Sequence, residues 1–238
     1  MGEGILVGCD RNQEWLLPWW WKHYSTHNDY PVAFADFGMS GEGIAWCMER
    51  GEYFQPSTPL ITPKQGIRPK VRAFWEERFG KNVWSVRASW LKKPFAVLEA
   101  PFTSGIWLDL DCQVKGVLDP LFHTLNLGVD LALVKDREQK LNFLLPGEIN
   151  YSSGVVAFRQ GTPILQQWVE ITCSMQNELP SDQELLTRAI FIHKPALFEL
   201  PAIYNWYHPW GKNEEAIIHH YCGGLGKIEI LKSLDPRS

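Results

Sequence analysis

Hydrophobic residues occur along the chain in short runs that alternate with polar turns and with amphipathic stretches. Apolar runs rich in branched residues predict strands at 5–9, 32–37, 83–86, 106–110, 131–134 and 155–158. Helical spacing, in two places begun by a proline, predicts helices at 15–26, 71–79, 94–100, 163–175 and 182–192. Residues 39–68 hold several prolines and glycines without a clean period, so we expect loop with short helical pieces there. Two further short apolar runs follow at 196–200 and 216–218.

Alternation of strands and helices is the pattern of an α/β fold. Strands that are apolar throughout indicate a mostly parallel central sheet that is covered by helices on both faces. The chain has 238 residues, and no repeat, low-complexity tract or linker divides it. We therefore expect a single domain over residues 1–238.

Composition and charge narrow the classes of partner. The chain is 45% hydrophobic and 21% charged with a net charge of −4, which is ordinary for a soluble globular protein and gives no basic surface for nucleic acid or anionic membrane. Five cysteines without a C-x-x-C pair favour free thiols in a reducing compartment. The start lacks a signal peptide and no window approaches a transmembrane span, so we expect a cytoplasmic protein.

Twelve tryptophans are unusual for a chain of this length, and they concentrate in two segments. "WLLPWWWKHY" fits a helix whose rings fill a core, with at least one ring near solvent because three adjacent side chains point around most of a helix. "IYNWYHPW" is open to two interpretations. Trp206 and Trp210 either pack in a core or stack on a sugar acceptor, since Pro209 and Gly211 indicate an exposed loop.

Asp109 and Asp111 end the apolar strand "GIWL". Side chains two apart on an extended chain project to the same side, and ligands of open α/β sheets bind at the carboxyl ends of strands. A D-x-D pair is expected about once by chance in such a chain. Carboxylates at the end of a buried strand are costly unless a cation or hydrogen bonds compensate them, which favours a metal site. Oxygen ligands suit Mg²⁺ or Mn²⁺, and an added imidazole would favour Mn²⁺.

The segment "AIIHHYCGGLGK" offers such an imidazole. His219 and His220 follow an apolar strand, and a glycine-rich turn that includes Gly223 leads to Lys227. A histidine after a strand is more often structural than a ligand. Together, however, these residues would supply a metal ligand, close backbone approach to phosphate oxygens and a positive charge.

Four segments, "WLDLD", "SSGVVAFR", "SDQELL" and "IIHHYCGGLGK", resemble in order and interval those of the GT-A nucleotide-sugar glycosyltransferases. The resemblance is closest to family 8, which includes glycogenin and bacterial lipooligosaccharide galactosyltransferases. It implies a single-domain, Rossmann-like GT-A fold with a nucleotide-binding part at about 1–114 and an acceptor and sugar part at about 115–238. It also implies transfer of a hexose from a nucleotide-sugar, a UDP-sugar in this family, with retention of anomeric configuration. The acceptor, whether saccharide, protein or lipid-linked, stays open.

The resemblance implies roles for particular residues. Asp109, Asp111 and His220 would bind Mn²⁺ or Mg²⁺, and Asp109 would also contact the nucleotide-sugar donor. Lys227 would contact the diphosphate from the turn that contains Gly223. The remaining correspondences are Asp182 and Gln183 as catalytic residues beside the donor sugar, Asp10 near the uracil and ribose, and Lys92 or Lys93 as a basic donor contact.

Three positions depart from the family pattern. Ser152-Ser153-Gly154 stands where the family has Asn-x-Gly, Lys227 comes one residue late without the Pro-Trp that usually follows, and His219 competes with His220 as the ligand.

Two other classes of protein share some of these sequence features. A haloacid-dehalogenase-type phosphatase also places D-x-D after an apolar strand, but it expects Thr or Val where this chain has Gln113. A non-catalytic sugar-binding module would account for the tryptophans and leave the acid, histidine and lysine constellation without a purpose.

Overall fold

The computed structural model describes residues 2–59, 61, 64–139 and 143–234, and these residues form ten strands and nine α-helices. The strands are β1 (Glu3–Cys9), β2 (Val32–Asp36), β3 (Glu52–Phe54), β4 (Ser104–Leu108), β5 (Cys112–Val114), β6 (Leu131–Lys135), β7 (Tyr151–Arg159), β8 (Leu197–Leu200), β9 (Trp206–Tyr207) and β10 (Ile218–His220). The helices are α1 (Leu17–Ser25), α2 (Gly41–Met48), α3 (Pro69–Phe79), α4 (Val83–Trp90), α5 (Lys93–Leu98), α6 (Asp119–Leu125), α7 (Pro163–Met175), α8 (Asp182–His193) and α9 (Gly223–Leu234).

Seven of these strands form one central sheet in the order β3-β2-β1-β4-β7-β6-β8. Neighbours pair in parallel except at β7, which is antiparallel to both β4 and β6. A mostly parallel sheet with helices on both faces confirms the predicted fold class. A second, small sheet has the order β5-β10-β9 and lies beside the end of β4.

The central sheet separates two hydrophobic cores, because successive side chains of a strand point to opposite faces. Ile5 and Val7 of β1 pack with Trp20 and other residues on one face, while Leu6 packs on the other face with Trp168 of α7. Burial on both faces explains why the strands are apolar throughout.

The tryptophans of α1 fill the first core, as the sequence indicated. Trp19 and Trp20 are buried, and Trp15 and Trp21 are half-buried against the same cluster. The expectation that at least one of these rings lies near solvent is only partly met, because Trp46 and Phe34 pack against the Trp21 ring.

One element was predicted wrongly. Residues 83–86 form the first turn of α4 and not a strand. The buried positions are Val83, Arg87 and Ser89, and the last two are polar, so their burial could not be inferred from hydrophobicity. The Arg87 guanidinium is satisfied by donating to the carbonyls of Gln176, Leu179 and Pro180.

The segment expected to be loop with short helical pieces contains α2 and β3. Ser40 caps α2 by accepting from the Gly43 amide at 3.1 Å, and β3 extends the sheet beyond β2. Positions 60, 62 and 63 lie outside the described residues. None of the described helices is long and apolar enough to cross a membrane.

Candidate active site

Asp109 and Asp111 lie where β4 leaves the central sheet and turns into β5. The Asp109 amide donates to the Gly154 carbonyl at 2.9 Å, which continues the β4–β7 pairing by one residue. The turn then closes when the Cys112 amide donates to the Asp109 carbonyl at 3.0 Å. Both carboxylates therefore stand at the carboxyl edge of the sheet, as predicted.

His220 reaches the aspartates through the small sheet. It pairs with Cys112 in the antiparallel β5–β10 ladder, so its ring lies directly beside the turn. Its Nε2 is 3.2 Å from Asp111 Oδ1 and 3.9 Å from Asp109 Oδ2, and its side chain is buried.

Asn205 orients the His220 ring. The His220 Nδ1 lies 2.9 Å from Asn205 Oδ1, while Asn205 Nδ2 donates to Ser152 Oγ at 2.6 Å. Because the amide nitrogen is already used as a donor, Asn205 Oδ1 accepts the Nδ1 hydrogen of His220. In a neutral His220 the Nε2 lone pair then faces the two carboxylates, an arrangement that a cation between them stabilises.

His219 lies on the opposite face of β10 because successive side chains of a strand alternate. Its Nε2 is 3.3 Å from His208 Nδ1, and its ring stacks on Tyr221. Burial, with His208 and Lys115 nearby, lowers the pKa of His219 to about 4.

Lys93 joins the D-x-D turn to α8. Its buried ammonium lies 2.9 Å from Asp109 Oδ1 and 2.7 Å from Asp182 Oδ2, and it also donates to the Ser153 carbonyl at 3.2 Å. Burial alone would lower the pKa of Lys93, but the two carboxylates outweigh it and raise that pKa. Lys92 points away and donates to the Phe37 carbonyl at 2.6 Å.

Lys227, from the first half of α9, is the second cation at the turn. Its ammonium lies 2.7 Å from Asp111 Oδ2. Burial raises the pKa of Asp111, but Lys227 and His220 outweigh it and hold that pKa below its ordinary value. For Asp109 the balance is reversed, because burial raises its pKa against the pull of Lys93 and His220.

Gln183 is held on all sides at the start of α8. Its Nε2 donates to Asp136 Oδ2 at 3.1 Å and to Asn150 Oδ1 at 3.4 Å. Its Oε1 accepts from the Tyr207 hydroxyl at 3.3 Å and from the Ser153 amide at 3.4 Å. The amide therefore has one orientation.

Gly154 leaves room for the histidine. A Cβ at this position would lie 2.3 Å from His220 Cε1 and 2.6 Å from Nδ1, closer than any real contact. A residue without a Cβ is therefore needed at position 154 for steric reasons, whatever the backbone conformation there.

Asp10 is set apart from the aspartate pair. Its carboxylate accepts from the Asn12 amide at 2.9 Å and from the Ser89 hydroxyl at 2.6 Å, which ties the end of β1 to α4. Ser89 lines a recess of about 60 Å³ beside Asp109. Gly8, Gln13, Phe37 and Trp90 also line this recess.

The recess opens next to a larger cleft of about 540 Å³ at the same edge of the sheet. Of the residues singled out from the sequence, the cleft is lined by Lys93, Asp109, Asp111, Asp182, Gln183, His220, Gly223 and Lys227. The structure thus brings all of them together except Asp10, Lys92, His219, Trp206 and Trp210, which are not among the residues that line the cleft.

Negative charge dominates the floor of the cleft. Six acids, Asp109, Asp111, Asp136, Glu138, Asp182 and Glu184, line the cleft together with three cations, Arg78, Lys93 and Lys227. An excess of buried negative charge is what a divalent cation would compensate.

The sequence did not reveal four residues that shape this site: Asn205, Tyr207, Asp136 and Asn150. They contact Gln183 or His220 from distant parts of the chain and form no motif with them. A polar residue inside the aromatic segment "IYNWYHPW" was the one available signal, because a buried asparagine needs partners.

Comparison with known proteins gives a fold but no close relative. No protein-family model matches the sequence, and no curated protein matches it significantly. Galactosyltransferase LgtC in complex with donor and acceptor sugar analogues superposes with a TM-score of 0.60 at 14% identity, over 92% of this chain and 87% of that chain.

Two further solved structures superpose on most of this chain with similar TM-scores. The glycosyltransferase GlyE of Streptococcus pneumoniae gives a TM-score of 0.59 at 16% identity, over 98% of this chain and 61% of that chain. The apo form of mouse xyloside xylosyltransferase 1 gives 0.56 at 11% identity, over 92% and 97%. The chain has the GT-A fold of these glycosyltransferases.

Proposed function

We propose that this chain is a metal-dependent glycosyltransferase that moves a hexose from a UDP-sugar to an acceptor with retention of anomeric configuration. The observation that carries the proposal is the convergence of Asp109, Asp111 and the oriented Nε2 of His220 on the floor of a large cleft. The GT-A fold supports it, since the solved structures with this fold described above are glycosyltransferases.

The residues present fit a divalent cation. Ligands about 2.1 Å from an octahedral ion lie about 3 Å apart, close to the 3.2 Å between Asp111 Oδ1 and His220 Nε2. Two carboxylates with one imidazole suit Mn²⁺ better than Mg²⁺. Cys112 also lies within reach, but burial raises the pKa of its thiol far above the ordinary value and the thiol donates to Gly154. We therefore assign Asp109, Asp111 and His220 as ligands.

Charge neutralisation of the leaving diphosphate is the chemistry that the metal would supply. Lys227 adds a positive charge at the same place, and Gly223 and Gly224 at the start of α9 line the cleft, so the N-terminus of this helix lies beside it. These groups stabilise negative charge that grows on the phosphate oxygens as the bond to the sugar breaks.

Gln183 and Asp182 would lie along the donor sugar. Gln183 is fixed by four partners, so its amide keeps one orientation toward the sugar. Lys93 holds Asp182 in place and compensates its charge. Retention requires attack from the face of the leaving group, and these two side chains provide the opposite face.

The nucleoside would lie at the end of β1, in the recess and the adjoining part of the cleft. Residues 1–114 supply its walls, with Asp10 positioned through Ser89, and residues 115–238 supply Gln183, His220 and Lys227. The five cysteines are free, which suits the reducing cytoplasm in which nucleotide-sugars are made.

Hydrolysis of a donor tests this function without knowledge of the acceptor. We expect one of a panel of UDP- and GDP-sugars to be hydrolysed slowly in Mn²⁺ and not in EDTA, with the sugar first released in the anomeric configuration of the donor, as followed by NMR. Asp111→Asn should abolish hydrolysis, whereas Asp29→Asn, at an exposed acid outside the cleft, should not. Full activity of Asp111→Asn, or cleavage of simple aryl phosphates without a nucleotide requirement, would refute the proposal.

A further inference from the structure

Arg137 follows β6 between Asp136 and Glu138, which both line the cleft, and its guanidinium lies over two tryptophans. The guanidinium carbon is 4.6 Å from the ring centre of Trp206 and 4.1 Å from that of Trp210. The two indoles meet edge to face at 5.4 Å, and Trp206 Nε1 donates to the Gly211 carbonyl at 2.8 Å. The arginine is therefore held on a rigid aromatic base.

This aromatic base continues into the cleft. Trp210 stacks on Tyr207 with ring centres 4.9 Å apart, and the Tyr207 ring meets His220 edge to face at 5.0 Å. The Tyr207 hydroxyl donates to Gln183 Oε1. From the centre outward, the order is thus His220 and Gln183, then Tyr207, then Trp210, then Arg137.

The polar capacity of Arg137 is unused within the part of the chain that the structure describes. The residue is exposed and takes part in no described hydrogen bond or ion pair. Its sequence neighbours are acids, but both are engaged: Asp136 accepts from Gln183 and from the Glu138 amide, and Glu138 pairs with Arg78 at 2.7 Å.

The N–H groups of a guanidinium lie in its own plane and point outward from its central carbon. Because the two indoles are perpendicular, that plane can be parallel to only one of them. This planar fork matches the two oxygens of a carboxylate or phosphate, and stacking has already removed much of its rotational freedom.

We propose that Arg137, Trp206 and Trp210 form the acceptor subsite, and that the acceptor is an acidic saccharide whose carboxylate or phosphate pairs with Arg137. The inference rests on the proposed function. It concerns the acceptor because Arg137 is exposed and is separated from His220 by the rings of Trp210 and Tyr207, whereas the groups assigned to the diphosphate and the donor sugar line the cleft.

Glycan binding tests the subsite directly. The labelled 238-residue chain is applied, with UDP and Mn²⁺, to an array that carries neutral glycans beside their uronic-acid, sialic-acid and phosphorylated forms. We expect binding to acidic glycans. Comparison of the uronic-acid and sialic-acid glycans with the phosphorylated ones shows whether Arg137 recognises a carboxylate or a phosphate. Arg137→Gln should weaken binding at least tenfold, and Arg137→Lys should recover only part of it.

Arg50→Gln is the matched control, because Arg50 also lies 4.0 Å from a tryptophan ring, Trp46, outside the cleft. It should leave binding unchanged. Equal binding of neutral and acidic glycans, binding to no glycan, or full binding by Arg137→Gln would overturn the inference.

Donor hydrolysis separates this inference from the proposed function. Arg137→Gln should hydrolyse the donor at the wild-type rate in the absence of acceptor, since the described contacts of Arg137 are with Trp206 and Trp210 and not with the groups assigned to the donor. Metal-dependent hydrolysis without any preference for acidic acceptors would reject the acceptor assignment alone. Acidic glycan binding that depends on Arg137, without hydrolysis of any nucleotide-sugar, would reject the proposed function and leave an acidic-sugar site.

Discussion

Asn205 is the residue that decides what His220 can do. It is fully buried, and it accepts from His220 Nδ1 while it donates to Ser152. The partners are 15 and 53 positions away along the chain, so no local motif announces the contact. The aspartate pair could be predicted because its geometry is local, whereas the orientation of its third partner depends on tertiary contacts.

Replacing Asn205 should therefore weaken metal binding. Asn205→Ala removes the acceptor for Nδ1–H, and loss of such a partner typically lowers metal affinity about 10–100-fold. Asn205→Asp keeps an acceptor and should restore most of the affinity. Titration with Mn²⁺ followed by electron paramagnetic resonance measures both variants. Wild-type affinity in Asn205→Ala would show that His220 is not a ligand.

Gly154 gives a second prediction at the scale of single residues. Gly154→Ala would place a methyl group 2.3 Å from His220 Cε1, so the ring must move away from the aspartates. We expect a loss of about 1–3 kcal/mol in the free energy of unfolding together with weaker Mn²⁺ binding.

Urea denaturation and the same Mn²⁺ titration measure the two effects. Gly41→Ala is the control, because a Cβ at Gly41 meets nothing within 4 Å. A Gly154→Ala variant that binds Mn²⁺ like the wild type would contradict the placement of His220.

At the scale of elements, α8 was predictable from its own sequence and α4 was not. Ser181 and Glu184 form a capping box at the start of α8, which is a local signal. In α4 the buried face includes Arg87, whose partners are carbonyls about 90 positions away. A helix whose apolar stripe is interrupted by a buried charge cannot be recognised by hydrophobic period alone.

The capping box predicts a pH dependence of stability. Burial raises the pKa of Glu184 to about 7, from 4.5 for an unperturbed group. Because the folded chain holds this proton more tightly than the unfolded chain, the contribution of Glu184 to stability is complete below pH 4.5 and is lost as the pH rises through 7.

Glu184→Gln should remove this dependence, since glutamine also serves in a capping box. We expect the variant to match the wild type at pH 5 and to exceed its stability by about 1–3 kcal/mol at about pH 8.5. Urea denaturation at the two pH values is the measurement, with the exposed Glu178→Gln as control. If the free energy of unfolding changed between the two pH values by the same amount in Glu184→Gln as in the wild type, the burial of an ionisable Glu184 would be contradicted.

At the scale of the whole molecule, the fold class followed from alternation of apolar strands and amphipathic helices. The order of strands and the antiparallel β7 did not, because pairing partners far apart in sequence leave no local trace. The same separation hid the cleft walls, since α4, the segment after β6 and β9 each contribute residues that only the assembled fold brings together. At 11–16% identity, the fold is what this chain visibly shares with the glycosyltransferases described above.

Thermal stabilisation by UDP tests the central claim most directly, namely that Asp109, Asp111 and His220 form a diphosphate-binding metal site. A ligand that binds only the folded state raises the melting temperature by mass action. We predict that UDP raises it in Mn²⁺ and not in EDTA, and that Asp111→Asn removes the shift while Asp29→Asn keeps it. A UDP shift of equal size in EDTA, or in Asp111→Asn, would contradict the account.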